Sequence, residues 1–201
     1  RNYTDIFRHL YLAPAALTRL LQWLSEMVLR YLRAQIDAGC QVVMVFDTWG
    51  GLLSEPAYRA FSLTGIQGIL NGLKATHPDI PVIVFSKGVN DAILEALAHT
   101  GATALGLDAT TDLHKARQRL GTLVALQGNL DPAMLLTSPA CIEQGVKDVL
   151  TAFGKGSGHI FNLGHGVLPS VPPAHVAAMV EAVRQWSPLA ILGECLTESQ
   201  P

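Results

Sequence analysis

The chain has 201 residues, of which 49% are apolar and only 15% charged, and its net charge is −2. That composition excludes a disordered chain, and the missing basic excess argues against nucleic acid as a partner, since phosphates would go unneutralised. Mean hydropathy is positive, +0.30, yet the longest apolar runs, 42–46 and 80–85, fall far short of the roughly 20 residues that span a bilayer, so no membrane partner is expected.

In chain order, residues 14–38 predict one long helix. Leu17, Leu20, Leu21, Leu24, Met27, Val28, Tyr31 and Leu32 recur at spacings of three and four, and Gly39 ends the pattern. A strand follows over 41–46, apolar at almost every position, as a strand covered on both faces requires. A helix over 55–74 leads to a second strand, 81–85, and a helix over 91–99. The strand 102–107 precedes a helix over 112–120, the strand 122–126 a helix over 140–153, and the strand 159–163 a helix over 173–186. Five strands alternate with helices without a hairpin signal, which indicates βαβ units and a parallel sheet. Residues 1–186 read as one domain portion, and the tail 187–201 loses periodicity and is expected to fray.

Polar and glycine residues gather where each strand ends: Asp47-Thr48-Trp49-Gly50-Gly51, Ser86-Lys87-Gly88, Asp108-Ala109-Thr110-Thr111-Asp112, Gln127-Gly128-Asn129-Leu130-Asp131-Pro132 and Gly164-His165-Gly166. The opposite strand ends are plainer. In both closed and open parallel α/β folds, chemistry sits at the carboxyl ends of the strands. Structural roles compete at each position. Asp108 and Asp112 suit helix capping, Asp131-Pro132 suits a helix start, and Gln127 and Asn129 suit bonding to loop backbone. Lys87 suits an ion pair with Asp47 or Asp108. His9, His77, His99, His114 and His175 read as ordinary surface residues. His165 differs: it follows a buried strand and has glycine on both sides, which lets backbone or ligand approach closely. It is favoured as a site residue.

Several signatures are missing. No GxSxG elbow or Walker loop occurs, and Gly154-Lys155-Gly156-Ser157-Gly158 precedes a strand rather than opening a helix, so it reads as a flexible turn. No HExxH, CxxC or Cys/His cluster offers metal ligands. The three cysteines, Cys40, Cys141 and Cys195, lie far apart and fit a reducing compartment. No apolar signal core follows the N-terminus, and a first residue of Arg leads us to expect a start within a longer protein.

The strand-end motifs together resemble the uroporphyrinogen decarboxylase family. They are Phe46-Asp47-Thr48-Trp49-Gly50-Gly51, Gly106-Leu107-Asp108, the run from Ala125 to Pro132, the run from Gly158 to Gly166, and Val171-Pro172-Pro173-Ala174-His175-Val176. They stand in family order and spacing from about residue 3 to 186, nearest to the bacterial, cytoplasmic branch. The resemblance implies a (β/α)8 TIM barrel, incomplete here with about five C-terminal βα units. It implies a homodimer without metal or cofactor that converts uroporphyrinogen III to coproporphyrinogen III by removing carbon dioxide from four acetate side chains. It places Thr48 and His165 at substrate-contact positions and Phe46 at the wall of the same mouth. The catalytic aspartate, the arginine-rich segment and a pocket tyrosine belong to the family's earlier residues, which have no counterpart in this sequence. Two departures stand at the strand ends: Ala109 where the family has Trp, and Val89 where it has a further glycine.

The resemblance further implies that three more strands come from a preceding stretch of chain, a partner chain or a neighbouring copy, the first being favoured. Alone, the 201 residues are expected to be inactive and to lack a cooperative fold. Thr48 and His165 are expected to face one pocket, with Asp47, Lys87 and Asp108 nearby. Two alternatives stand beside the decarboxylase: a corrinoid-dependent methyltransferase barrel of the same superfamily, whose His-x-Cys zinc ligands are not matched here, and a non-catalytic fragment.

Overall fold

The structure is a computed structural model that describes residues 3–187. Beyond Ser187, the expected tail and Cys195 lie outside the described residues. The chain divides into two compact units, 1–105 and 106–201.

The first unit opens with two helices, α1 (Thr4–Leu12) and α2 (Pro14–Asp37). The sequence reading did not include α1, although Ile6, Phe7, Leu10 and Tyr11 recur at helical spacing; of these only Leu10 is buried. The break at Ala13 (φ −142°, ψ 51°) follows from Pro14, which disfavours helical geometry in the residue before it and itself suits a first helical turn. At the other end Gly39, with φ +107°, terminates α2, and its N–H bonds to the Ile36 carbonyl.

Strand β1 (Val43–Asp47) pairs in parallel with β2 (Val82–Ser86), Val43 opposite Val82 and Asp47 opposite Ser86. All five residues of β2 are buried, as a strand covered on both faces must be. β1 alternates: Val43 and Val45 are buried, whereas Phe46 is 66% exposed.

The helical run after β1 is not uniform. A short α3 (Glu55–Ala57) passes through a π-helical turn, Tyr58–Leu63, into α4 (Thr64–Thr76). α4 packs on α2, where the Arg33 guanidinium donates to the Gly72 carbonyl (2.8 Å) and to Thr76 Oγ1 (3.1 Å). The face of α2 turned to α4 runs through Ser25 and Leu29, which lie against Gly65 and Gly72. Most of the apolar stripe read from the sequence stays open instead: Leu20, Leu24, Met27, Val28 and Tyr31 are exposed. α5 (Asp91–Ala98) is capped by Asn90, whose side chain accepts from the Ile93 N–H.

Strand β3 (Ala104–Gly106) spans the boundary between the units. The second unit continues with α6 (Leu113–Leu120), β4 (Ala125–Gln127), a 3-10 turn (Pro132–Leu136), α7 (Pro139–Phe153), β5 (His159–Ile160) and α8 (Pro173–Trp186). β4 and β5 pair in parallel, with Leu126 opposite His159. The strands follow the order β1-β2-β3-β4-β5 in a five-stranded sheet, the succession expected of consecutive barrel strands.

The last three strands are shorter than the apolar runs suggest. Leu123 and Val124 bond back to the Leu120 carbonyl and belong to the turn that ends α6. Past Ile160 regular pairing lapses, but Leu130 and Leu163 still bridge. The first unit's core contains Leu70, Leu73, Val84 and Leu97, and the second's Leu126, Leu135, Ile142 and Val146.

Leu70 is 1% exposed and Leu12 74%. Replacing Leu70 by Ala is expected to cost about 2–5 kcal/mol in urea unfolding of the protein, and replacing Leu12 by Ala no more than about 0.5 kcal/mol.

Candidate functional site

Thr48 lies in the bend that follows β1, half-buried, between Asp47 and Trp49. The Asp47 carboxylate organises this bend. Its Oδ1 accepts the Gly50 N–H (2.9 Å), while Oδ2 accepts the hydroxyls of Ser62 (2.6 Å) and Ser86 (2.9 Å). Behind Ser86, the Tyr58 hydroxyl donates to Ser86 Oγ at 2.8 Å. Tyr58 and Ser86 are 1% and 2% exposed, so the chain of bonds runs into the core. Burial, first, and then the neighbouring Asp47 charge raise the Tyr58 phenol well above its ordinary value, which keeps it a donor.

Lys87, expected to pair with Asp47 or Asp108, does not hold Asp47. Three uncharged donors take up that carboxylate, and Lys87 meets Asp47 through the backbone, its N–H donating to the Asp47 carbonyl at 3.2 Å. Gly50 and Gly51 are required here. A Cβ on Gly50 would overlap the Asp47 carboxylate, and one on Gly51 the Lys87 carbonyl. Phe46 projects from β1 into the open, its ring edge-on to Phe85 at 6.1 Å. Trp49 is 55% exposed and rests against Tyr3 of the N-terminal segment, the ring centroids 5.6 Å apart.

In the second unit, Asp112 caps α6 as expected, accepting the Lys115 N–H at 3.0 Å. Asp108 does not cap that helix. It is 5% exposed, and its Oδ1 accepts the Thr110 N–H (2.8 Å) and Thr110 hydroxyl (2.6 Å), closing a tight turn over two residues. Asn129 bonds loop backbone as expected, donating to the carbonyls of Asp108 (2.8 Å) and Thr111 (2.7 Å). His165 is exposed in the loop after β5. The preceding Gly164 is buried against Ala109, and a Cβ there would overlap the Ala109 backbone. Phe46 and Thr48 thus share the end of β1 in the first unit, and His165 stands in the second.

The model of uroporphyrinogen decarboxylase (URO-D) matches residues 1–186. The chain belongs to the uroporphyrinogen decarboxylase family. It is 53% identical over 189 residues to the uroporphyrinogen decarboxylase of Cellvibrio japonicus (strain Ueda107), covering 93% of this chain and 53% of that one. It is 50% identical over 188 residues to the enzyme of Legionella pneumophila (strain Paris), covering 94% and 53%. The chain therefore spans about half the length of the uroporphyrinogen decarboxylases it matches. Among solved structures, a methyltransferase from Methanosarcina mazei superposes with a TM-score of 0.79 at 20% identity, over 92% of this chain and 54% of that one. The likeness is one of fold and fits a partial TIM barrel. Among the described residues no group of three or more His, Cys, Asp and Glu side chains is placed to hold a metal ion.

Sequence reasoning missed Tyr58 and Ser62, and read Ser86 only as part of a polar strand end. The available signal was two hydroxyls, Tyr58 and Ser62, four residues apart in a helical stretch, together with a serine closing an apolar strand. It also missed His159, which stacks on Phe153 (4.4 Å, 9° between planes) with Nε2 2.8 Å from the Gly128 carbonyl. Burial, joined by the nearby Arg117 charge, lowers the His159 pKa from its ordinary 6.5, although the Gly128 contact opposes the shift. As pH falls below about 6.5, the unfolded chain binds a proton that native His159 resists. Stability is full above that value and declines until pH passes the lowered native pKa. Urea unfolding between pH 7.5 and 5 is expected to show a shallower decline in His159→Gln than in the parent protein.

Proposed function

We propose that this chain supplies the later βα units of a uroporphyrinogen decarboxylase, which removes the four acetate carboxyl groups of uroporphyrinogen III to give coproporphyrinogen III. The observation that carries the proposal is the match to the family model across residues 1–186. In this reading Thr48 and His165 each contact the substrate from the carboxyl end of a strand, and Phe46 contributes apolar surface beside Thr48. The hydroxyl of Thr48 and the imidazole of His165 suit the acetate and propionate carboxylates of a porphyrinogen.

The chemistry demands little of this half of the barrel beyond binding and orientation. A pyrrole acetate loses carbon dioxide readily once protonation at a ring carbon turns the ring into an electron sink. A fixed carboxylate stabilises the resulting cation, and a general acid then protonates the new methyl group. The family resemblance assigns the carboxylate and the arginines that balance the substrate's charge to earlier residues of the family chain. The 201 residues alone are accordingly expected to be inactive. The proposal includes a homodimer in the cytoplasm that works without metal or organic cofactor; no described helix is long and apolar enough to cross a membrane.

The full protein, incubated with uroporphyrinogen III, is expected to release hepta-, hexa- and pentacarboxylate intermediates and then coproporphyrinogen III on chromatography. In His165→Ala, KM is expected to rise by about tenfold, on the order of one lost charge-assisted hydrogen bond. Unchanged kinetics in that variant would remove His165 from the site. Elemental analysis separates this chemistry from that of zinc-dependent methyltransferases: the decarboxylase is expected to carry far less than one zinc per chain, and one firmly held zinc would overturn it.

A further inference from the structure

We propose that Asp47 is a positioning residue for substrate binding, acting through Thr48, and that Ser62, Ser86 and Tyr58 form the support that fixes it. The inference rests on the decarboxylase proposal above and adds to it the device that aims Thr48. β1 delivers Asp47 and Thr48 in succession. Along a strand, successive side chains point to opposite faces. The Asp47 carboxylate turns toward the π-helical turn, where Ser62 meets it, and toward Ser86 on the neighbouring strand. Phe46, one residue before, projects from the opposite, open face of β1.

Between Asp47 and Gly50 the chain bends, and Asp47 Oδ1 closes the bend by accepting the Gly50 N–H. Thr48 and Trp49 are the two residues inside that closure, so their backbone is held by one carboxylate. The carboxylate in turn is held by hydroxyls on two other elements, and the Tyr58 hydroxyl behind Ser86 is buried. An acid gripped by three donors has little acceptor capacity left for substrate. Its position therefore suits aiming the neighbouring hydroxyl rather than touching the ligand.

A double-mutant cycle on the full protein tests this. Asp47→Asn keeps the size of the side chain but removes the charge that three donors share. Asp47→Asn and Thr48→Ala are each expected to raise KM for uroporphyrinogen III by about tenfold, with kcat within about threefold of the parent. Combined, they are expected to raise it no further than either alone, because one acts through the other. A combined loss near a hundredfold, the product of two independent effects, would overturn the proposal, as would parent-like kinetics in Asp47→Asn. Should Asp47→Asn not fold, Ser62→Ala takes its place in the cycle. It removes one donor and leaves the carboxylate, and the same non-additivity is expected on a shift of about threefold.

Amide hydrogen exchange provides a readout independent of turnover. The Gly50 N–H is expected to exchange slowly in the parent protein and at least about tenfold faster in the Asp47 or Ser62 variant. A parent protein without decarboxylase activity would sink the functional proposal, and the Gly50 amide would still decide whether Asp47 pins the bend. Fast exchange in the parent protein, or no change in the variants, would show that it does not.

Discussion

Parallel strands cannot be joined by a hairpin. Each must be returned through a crossover that covers the sheet, and β2 is thereby buried on both faces while β1 keeps Phe46 on an open one; much of this molecule follows from that constraint. Every residue of β2 is buried, so polar side chains cannot be distributed along the strand. They are displaced to its end, where Ser86 closes the apolar run. The same displacement puts Asp47 at the end of β1, Gln127 at the end of β4 and Asp108 just past β3. Polar strand ends are thus a consequence of burying the strands, and the groups there must find partners because several of them are themselves buried.

Several of the partners are local, closing a bend or starting a helix. Asp47 closes on Gly50, Asp108 on Thr110, Asp131 on Ala133, and Ser138 on Cys141. Asn129 joins two of these loops in the second unit by donating to the carbonyls of Asp108 and Thr111. Glycine completes the arrangement where loops touch. Gly51 admits the Lys87 carbonyl and Gly164 the Ala109 backbone, at separations that no side chain tolerates. Ala109 stands where the family pattern has Trp, and its small side chain lies against Gly164 in the loop that presents His165.

This explains what was legible in the sequence. Unbroken apolar runs announced β1 and β2, and capping chemistry announced the start of α6, because those signals come from residues adjacent in the chain. Asp112 was read as a cap for that reason, and it is one. Asp108 was misread because an aspartate can close a turn onto its own loop as readily as it caps a helix, and the sequence does not say which N–H will meet it. An ion pair of Lys87 with Asp47 or Asp108 was expected on charge alone. The structure satisfies Asp47 with hydroxyls from positions 62 and 86, contacts that depend on tertiary packing and leave no periodic trace. α1 was missed although Ile6, Phe7, Leu10 and Tyr11 are spaced as one helix face; it is only nine residues long, and Pro14 interrupts the pattern.

The π-helical turn has a cause in the same network. α4 buries Ile66, Ile69, Leu70 and Leu73 on one face, while Tyr58 must point inward to reach Ser86. At about 100° per residue, an unbroken α-helix would turn Tyr58 about 80° away from Ile66 and about 120° away from Leu70. One extra residue, which is what a π turn inserts, reduces both offsets to about 20° and returns Tyr58 to the buried face. The irregularity reconciles two demands that a regular helix cannot meet together: a buried apolar face on α4, and a phenol aimed at the end of β2. Ser62, inside the same turn, then comes within 2.6 Å of Asp47. The helix departs from regularity where the strand-end carboxylate needs its donors, and the bend carrying Thr48 takes its shape from that departure.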